Sequence, residues 1–139
     1  MNWITWALLS AFFAGITAIL AKIGIAGVDS NLAAAVRTTV VVVFTWGITL
    51  IASPGASVRQ FSNRTWLFLI LSGVATGLSW LCYFRALQLG QASRVAPVDK
   101  LSVVFAIVLA AVVLGEKLNW QHYVGGALIV SGALVLARA

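Results

Sequence analysis

Asp99 and Lys100 stand side by side in the stretch RVAPVDKLSVVFAIVLAAVVLGEKL, Arg94 to Leu118. An acid and a base at the mouth of an apolar run can meet headgroups and water, or they can line a wet cavity and bind a solute. Leu101 to Leu114 is only 14 residues, about 21 Å of helix. A bilayer core is about 30 Å thick. The crossing must therefore draw on Val95–Lys100, which puts the pair inside the slab or at its inner edge. In one reading Lys100 snorkels outward and Asp99 favours the positive end of its helix. In the other, both face a water-filled cavity. A charge at the bilayer centre costs about 2.5–3.5 kcal/mol, and a lysine sits badly at a helix N-terminus. Something must then hold it: Asp99, an acid from another helix, or an anionic ligand.

Other polar residues in apolar surroundings repeat the choice. Arg37 lies one to two turns into a second apolar run, either meeting lipid phosphate or pointing inward. Lys22 closes the first run. Thr76, Ser79, Trp80 and Tyr83 recur at i, i+3, i+4 and i+7, so they share one helix face. That polar and aromatic stripe is either a ligand wall or a packing face with internal hydrogen bonds. Arg85 falls on another face and reads as interfacial. Cys82 is the sole cysteine, so no intrachain disulfide can form. Between Trp80, Leu81 and Tyr83 it reads as a small packed thiol. His122, beside Trp120 and Tyr123, reads as an interface residue rather than a ligand. There is no His/Cys cluster and no nucleophile–base pair, so no metal, cofactor or enzyme activity is expected.

The elements that must position these residues follow from composition. The chain has 139 residues, 62% hydrophobic and 9% charged, with a mean hydropathy of +1.05. Soluble domains carry about 25% charged residues, so the class is all-α integral membrane. At about 20 residues per crossing, five helices are predicted: about 3–22, 32–52, 66–88, 95–115 and 120–137, in one domain over 1–139. Asp29, Ser30 and Asn31 offer N-caps for the second. SPGAS, LGQAS and GEKLN supply breaks, and Pro97 is expected in the first turn of the fourth helix, where its missing N–H is harmless. Short connections imply antiparallel neighbours. The opening MNWITWALLSAFFAG lacks a basic n-region and reads as a retained first helix. Trp3, Trp6, Trp66, Trp120 and Tyr123 near helix ends suit an aromatic belt. Gly73 and Gly77, and more weakly Gly125 and Gly132, suit close helix approach.

The formal charge of +6 sits mostly at the ends of apolar runs, which argues for headgroups rather than nucleic acid. One face of the membrane would carry Arg59, Arg64 and Lys117. The other would carry Lys22, Arg37, Arg85, Arg94, Lys100 and Arg138, and counted so, three against six, the bias favours a cytoplasmic C-terminus. If Lys22, Arg37 and Lys100 are drawn into the protein, the faces balance and the positive-inside bias no longer selects an orientation.

Phe84 to Leu136 resembles the C-terminal part of an EamA domain of the drug/metabolite transporter superfamily. The resemblance rests on RALQLG, the proline-bearing fourth helix, GEKL and GGALIVSG. AFFAGITAILAKIGI and SNLAAAVRTTVV are similar to its early part, and RVAPVDKLSVV resembles small single-domain members. The resemblance implies a five-helix bundle that is one half of an inverted-repeat transporter, in a multi-pass cell membrane location. It implies a substrate cavity between two repeats, and alternating access. A lone repeat exposes half a polar cavity to lipid, and an antiparallel copy would complete it. The small multidrug exporters of the superfamily carry a glutamate in the first helix; Trp3–Leu20 has no carboxylate, which argues against cation–proton antiport by that route. The candidate substrate-binding residues are Lys22, Arg37, Thr76, Ser79, Trp80, Tyr83, Asp99 and Lys100. A basic and aromatic set attracts anions, so the expected cargo is an anionic, zwitterionic or neutral metabolite. The alternatives are a subunit of a heterodimeric transporter, a lipid-linked-sugar flippase, and a non-transporting scaffold subunit.

Overall fold

A computed structural model describes residues 2–53, 55 and 57–138. Among them every regular element is helical. These are α1 (Trp3–Gly24), α2 (Ser30–Ala52), a 3₁₀ turn (Val58–Gln60), α3 (Asn63–Leu89), α4 (Ala92–Asp99), α5 (Ser102–Val113) and α6 (Trp120–Arg138). Counting Ala92–Val113 as one span, five segments are long and apolar enough to cross a membrane. Pro54, expected to end α2, lies outside the described residues.

The chain divides into two compact units. One, Gly24–Gln88, holds α2 and α3. Gly27, at φ +74°, takes the left-handed conformation that glycine adopts without strain. Asp29 then caps α2, accepting from the N–H groups of Asn31 at 3.0 Å and Leu32 at 2.9 Å. The run TTVVVVFT is rich in β-branched residues, which are mediocre helix formers in water. In lipid the unsatisfied backbone of any other conformation costs far more. The threonine hydroxyls are absorbed too: Thr38, Thr45 and Thr49 donate to the carbonyls of Ala34, Val41 and Thr45 at 2.7–2.9 Å. Ser62 caps α3 by accepting the Thr65 N–H at 3.1 Å. The two helices run antiparallel, with the end of α3 beside the start of α2. There Gln88 Nε2 donates to the Val28 carbonyl at 2.8 Å, and Arg85 donates to Gln88 Oε1 at 2.6 Å. Ile25, Ser30, Ala34, Phe84 and Leu87 are buried at this end.

The other unit joins α1 to everything from Leu89 onward. Here α4 and α5 both pack on α6, with Gly126 and Ala133 buried. The fourth span corrects the sequence expectation. It starts at Ala92, three residues before the predicted boundary, so Pro97 lies inside a helix rather than in its first turn. Pro97 has no N–H to give Ser93. Beyond it the ladder tightens: Lys100 donates to Pro97 and Leu101 to Val98, then Val103 to Lys100 and Val104 to Leu101, at 3.0–3.1 Å. These i to i−3 bonds are a short 3₁₀ stretch, and the helix is interrupted at Lys100–Leu101. Gly115 at φ +69° ends α5, as the Glu116 N–H folds back to the Ala110 carbonyl at 3.2 Å.

Outside these contacts the surface is apolar. Side chains such as Phe12, Val43, Ile70 and Val112 are exposed, as a chain solvated by hydrocarbon requires.

Candidate functional site

In the α2–α3 unit the arginine comes first. Arg37 is the eighth residue of α2, about 10 Å along the helix from Ser30. Its guanidinium lies 4.3 Å from the centroid of the Trp80 ring and 5.6 Å from that of Phe84. Trp80 and Phe84 are one helical turn apart on α3, so they present a continuous aromatic surface. Tyr83, next to Phe84 in sequence, is half-buried. Of the predicted stripe, Trp80 and Tyr83 gather at the arginine. Thr76 and Ser79 are exposed, and the Thr76 hydroxyl is spent on the Ser72 carbonyl at 2.9 Å. Phe84 is the residue that sequence reasoning missed. It follows Trp80 at i+4, a signal obscured because the polar members drew the stripe. Cys82 corrects another expectation: it is exposed rather than packed, because it falls off the face carrying Trp80 and Phe84.

In the other unit, Lys22 at the end of α1 is half-buried and donates to the Gly90 carbonyl at 2.7 Å. Asp99 and Lys100 occupy the interruption between α4 and α5. Lys100 Nζ lies 3.5 Å from Asp99 Oδ2, with the side chains 57% and 35% exposed. That separation is long for a charged hydrogen bond, so the pair is loose. His122 has a local role. Its Nδ1 accepts the Asn119 N–H at 3.0 Å, while its own N–H donates to the Asn119 carbonyl at 2.9 Å. This reciprocal pair closes the start of α6 in the manner of a capping box. Among the described residues no group of three His, Cys, Asp or Glu could hold a metal.

Each unit also has an open cleft, and His122 lines one of them. One, of about 320 Å³, is walled by Trp46, Phe61 and Trp66. The other, of about 280 Å³, lies between Ile107 and the Gln121–Ile129 stretch of α6. The space over Gly73, Gly77, Gly125 and Gly132 is open, with nothing within 4 Å of where a Cβ would stand.

Five apolar spans, an interrupted fourth helix and a few charges within the spans set the frame for comparison with known proteins. The family model of the EamA-like transporter family matches residues 1–138. The chain belongs to that family. It is 49% identical over 136 residues to an "Uncharacterized transporter in cobO 3'region" of Sinorhizobium sp., covering 98% of this chain and 96% of the other. It is 34% identical over 84 residues to a Pseudomonas fluorescens protein named "Probable 4-amino-4-deoxy-L-arabinose-phosphoundecaprenol flippase subunit ArnE", covering 60% of this chain and 71% of that one. It is also 34% identical over 140 residues to a "Probable terminal-alkyne amino-acid exporter" of Streptantibioticus cattleyicolor, covering 98% of this chain but 42% of that protein. No solved structure matches the chain. As an EamA-family protein with five apolar spans, it is a multi-pass membrane protein of a transporter family.

Proposed function

We propose that this EamA chain is one half of a secondary transporter for a small anionic, zwitterionic or neutral metabolite. Two copies inserted in opposite directions form the working unit, and the halves rock about a site near the midplane. The observation carrying this reading is the match to the amino-acid exporter, in which nearly the whole chain corresponds to 42% of the longer protein. One chain thus has the extent of a single repeat. Inverted repeats enclosing a midplane site are a general transporter design, often with discontinuous helices at the site, and the Lys100–Leu101 interruption fits that design. The open space over the helix glycines leaves room for a second copy to approach. With Lys22, Arg37 and Lys100 drawn into the cavity, the remaining Lys and Arg balance between the two faces, which leaves insertion in either direction open. Lys22, Arg37, Thr76, Ser79, Trp80, Tyr83, Asp99 and Lys100 are the residues assigned to the cavity.

Topology reporters fused to the C-terminus test the assembly. Signal from both sides of the membrane is the expected result; a single clean orientation removes the antiparallel homodimer. Substrate exchange by purified protein in proteoliposomes, across a panel of amino and organic acids, tests the activity. A second reading rests on the relative named as a flippase subunit: a heterodimer with a sister half. A single orientation together with co-purification of a second five-helix chain would favour it.

A further inference from the structure

We infer that the Arg37–Trp80 stack is a receptor for a planar oxyanion, and that the cargo class is a small carboxylate. The inference rests on the transport reading above and narrows it.

The acids of the chain are Asp29, Asp99 and Glu116. Asp29 is the only one in the unit that holds Arg37, and its Oδ1 caps α2. Asp99 faces Lys100. Glu116 is exposed in the turn after α5. Neither α2 nor α3 contains an Asp or Glu. Among the described residues Arg37 therefore forms no salt bridge, although it is half-buried within a membrane span. The rings of Trp80 and Phe84 attract its charge through their faces. A ring face takes up charge but supplies no lone-pair acceptor to the five N–H donors of Arg37. Tyr83 can supply one acceptor oxygen. Most of the donor edge remains to be met.

Shape narrows the partner. A guanidinium held 4.3 Å from a ring centroid, with no acid beside it, seeks acceptors for its paired donors, and two parallel N–H bonds fit the two oxygens of a carboxylate. Position narrows the source. Trp80 is nine residues before the end of α3, about 13 Å along the helix. The guanidinium is held at the level of Trp80 by its aromatic contacts. A carboxylate on a mobile solute can reach that level, whereas a lipid phosphate is tethered to the interface.

The test uses the full chain in phosphatidylcholine nanodiscs and follows arginine Nε–Hε resonances, with the Arg37 signal identified by its loss in Arg37→Lys. Benzoate and acetate are titrated against the neutral isosteres benzamide and acetamide. The expected result is a saturable shift of the Arg37 signal with the acids only. Arg37→Lys, which keeps the charge but loses the fork, should weaken benzoate binding about tenfold as read from thermal stabilisation. Trp80→Phe, which keeps a ring, should weaken it about threefold. Equal responses to acids and amides overturn the inference, as does no response to either acid. A shift produced by phosphatidylglycerol and not by the acids assigns Arg37 to lipid phosphate and also overturns it. Flux is scored separately in proteoliposomes. Carboxylate binding without movement of any solute removes the transport reading and leaves the receptor. Flux of neutral solutes without an Arg37 response does the reverse.

Discussion

The molecule handles cations within its spans in two ways. Among the described residues Arg37 forms no salt bridge, and it is held by aromatic rings from the neighbouring antiparallel helix, at 4.3 Å and 5.6 Å. Lys100 has an acid one residue away, but at 3.5 Å and with 57% of its side chain exposed. The first arrangement is built from residues 43 and 47 positions apart in sequence, and it fixes a charge while leaving its donors open. The second is built from sequence neighbours at a helix interruption, and it fixes neither group tightly. A pre-set donor edge suits recognition. A loose pair at a break in the backbone suits movement, since the i to i−3 bonds there resemble the short 3₁₀ stretches that mark hinges.

The largest effect should separate these two cations. Arg37→Gln is expected to lower acid-dependent thermal stabilisation about tenfold or more in apparent affinity, since hydrogen bonds to charged groups are the stronger kind. Lys100→Met should lower it only about threefold, because Asp99 already offsets part of that charge. Melting curves at graded benzoate concentrations check both. A larger loss at Lys100 than at Arg37 would invert the comparison and move the recognition site to the helix interruption.

A mid-sized effect sharpens the aromatic half of the contrast. The Arg37–Trp80 contact should show a coupling of about 1 kcal/mol in a double-mutant cycle combining Arg37→Met with Trp80→Leu, measured by unfolding in mixed micelles. The same cycle with Arg37→Met and Phe84→Leu should give a smaller coupling, as that ring is farther from the guanidinium. Additive behaviour of Arg37 and Trp80 would mean that the stack does not restrain the arginine.

Much of this was legible in the sequence for a physical reason. Lipid forces the backbone into helices, so apolar length alone located five spans, and Asp29 followed by Ser30 and Asn31 announced the cap that forms. The interruption of the fourth span was not legible. Pro97 reads as harmless only if the helix starts at Val95. The actual start at Ala92 depends on the backbone of Gln91, whose side chain makes no cap bond and leaves no mark in the sequence. At the site, Trp80 and Tyr83 were legible as polar aromatics at helical spacing. Phe84 was invisible because its part is to present a ring face to a cation on another helix, a role that any buried phenylalanine would mimic. Lys22 was legible as a charge at a helix end, but its partner, the Gly90 carbonyl, is a backbone atom that residue identity cannot reveal.

The smallest effect concerns what the loose pair is for. Asp99→Asn should change stability by about 0.5 kcal/mol or less, as for other well-solvated ion pairs. Its consequence for binding carries more information. Removing the carboxylate frees Lys100 from its only acidic neighbour on the fourth span. Measured in the Arg37→Gln background, Asp99→Asn should raise residual benzoate binding about twofold to threefold, since a competing negative charge beside Lys100 is gone. That tightening is the expected outcome. Unchanged residual binding would mean that Lys100 takes up no anion and would leave the pair to the hinge alone.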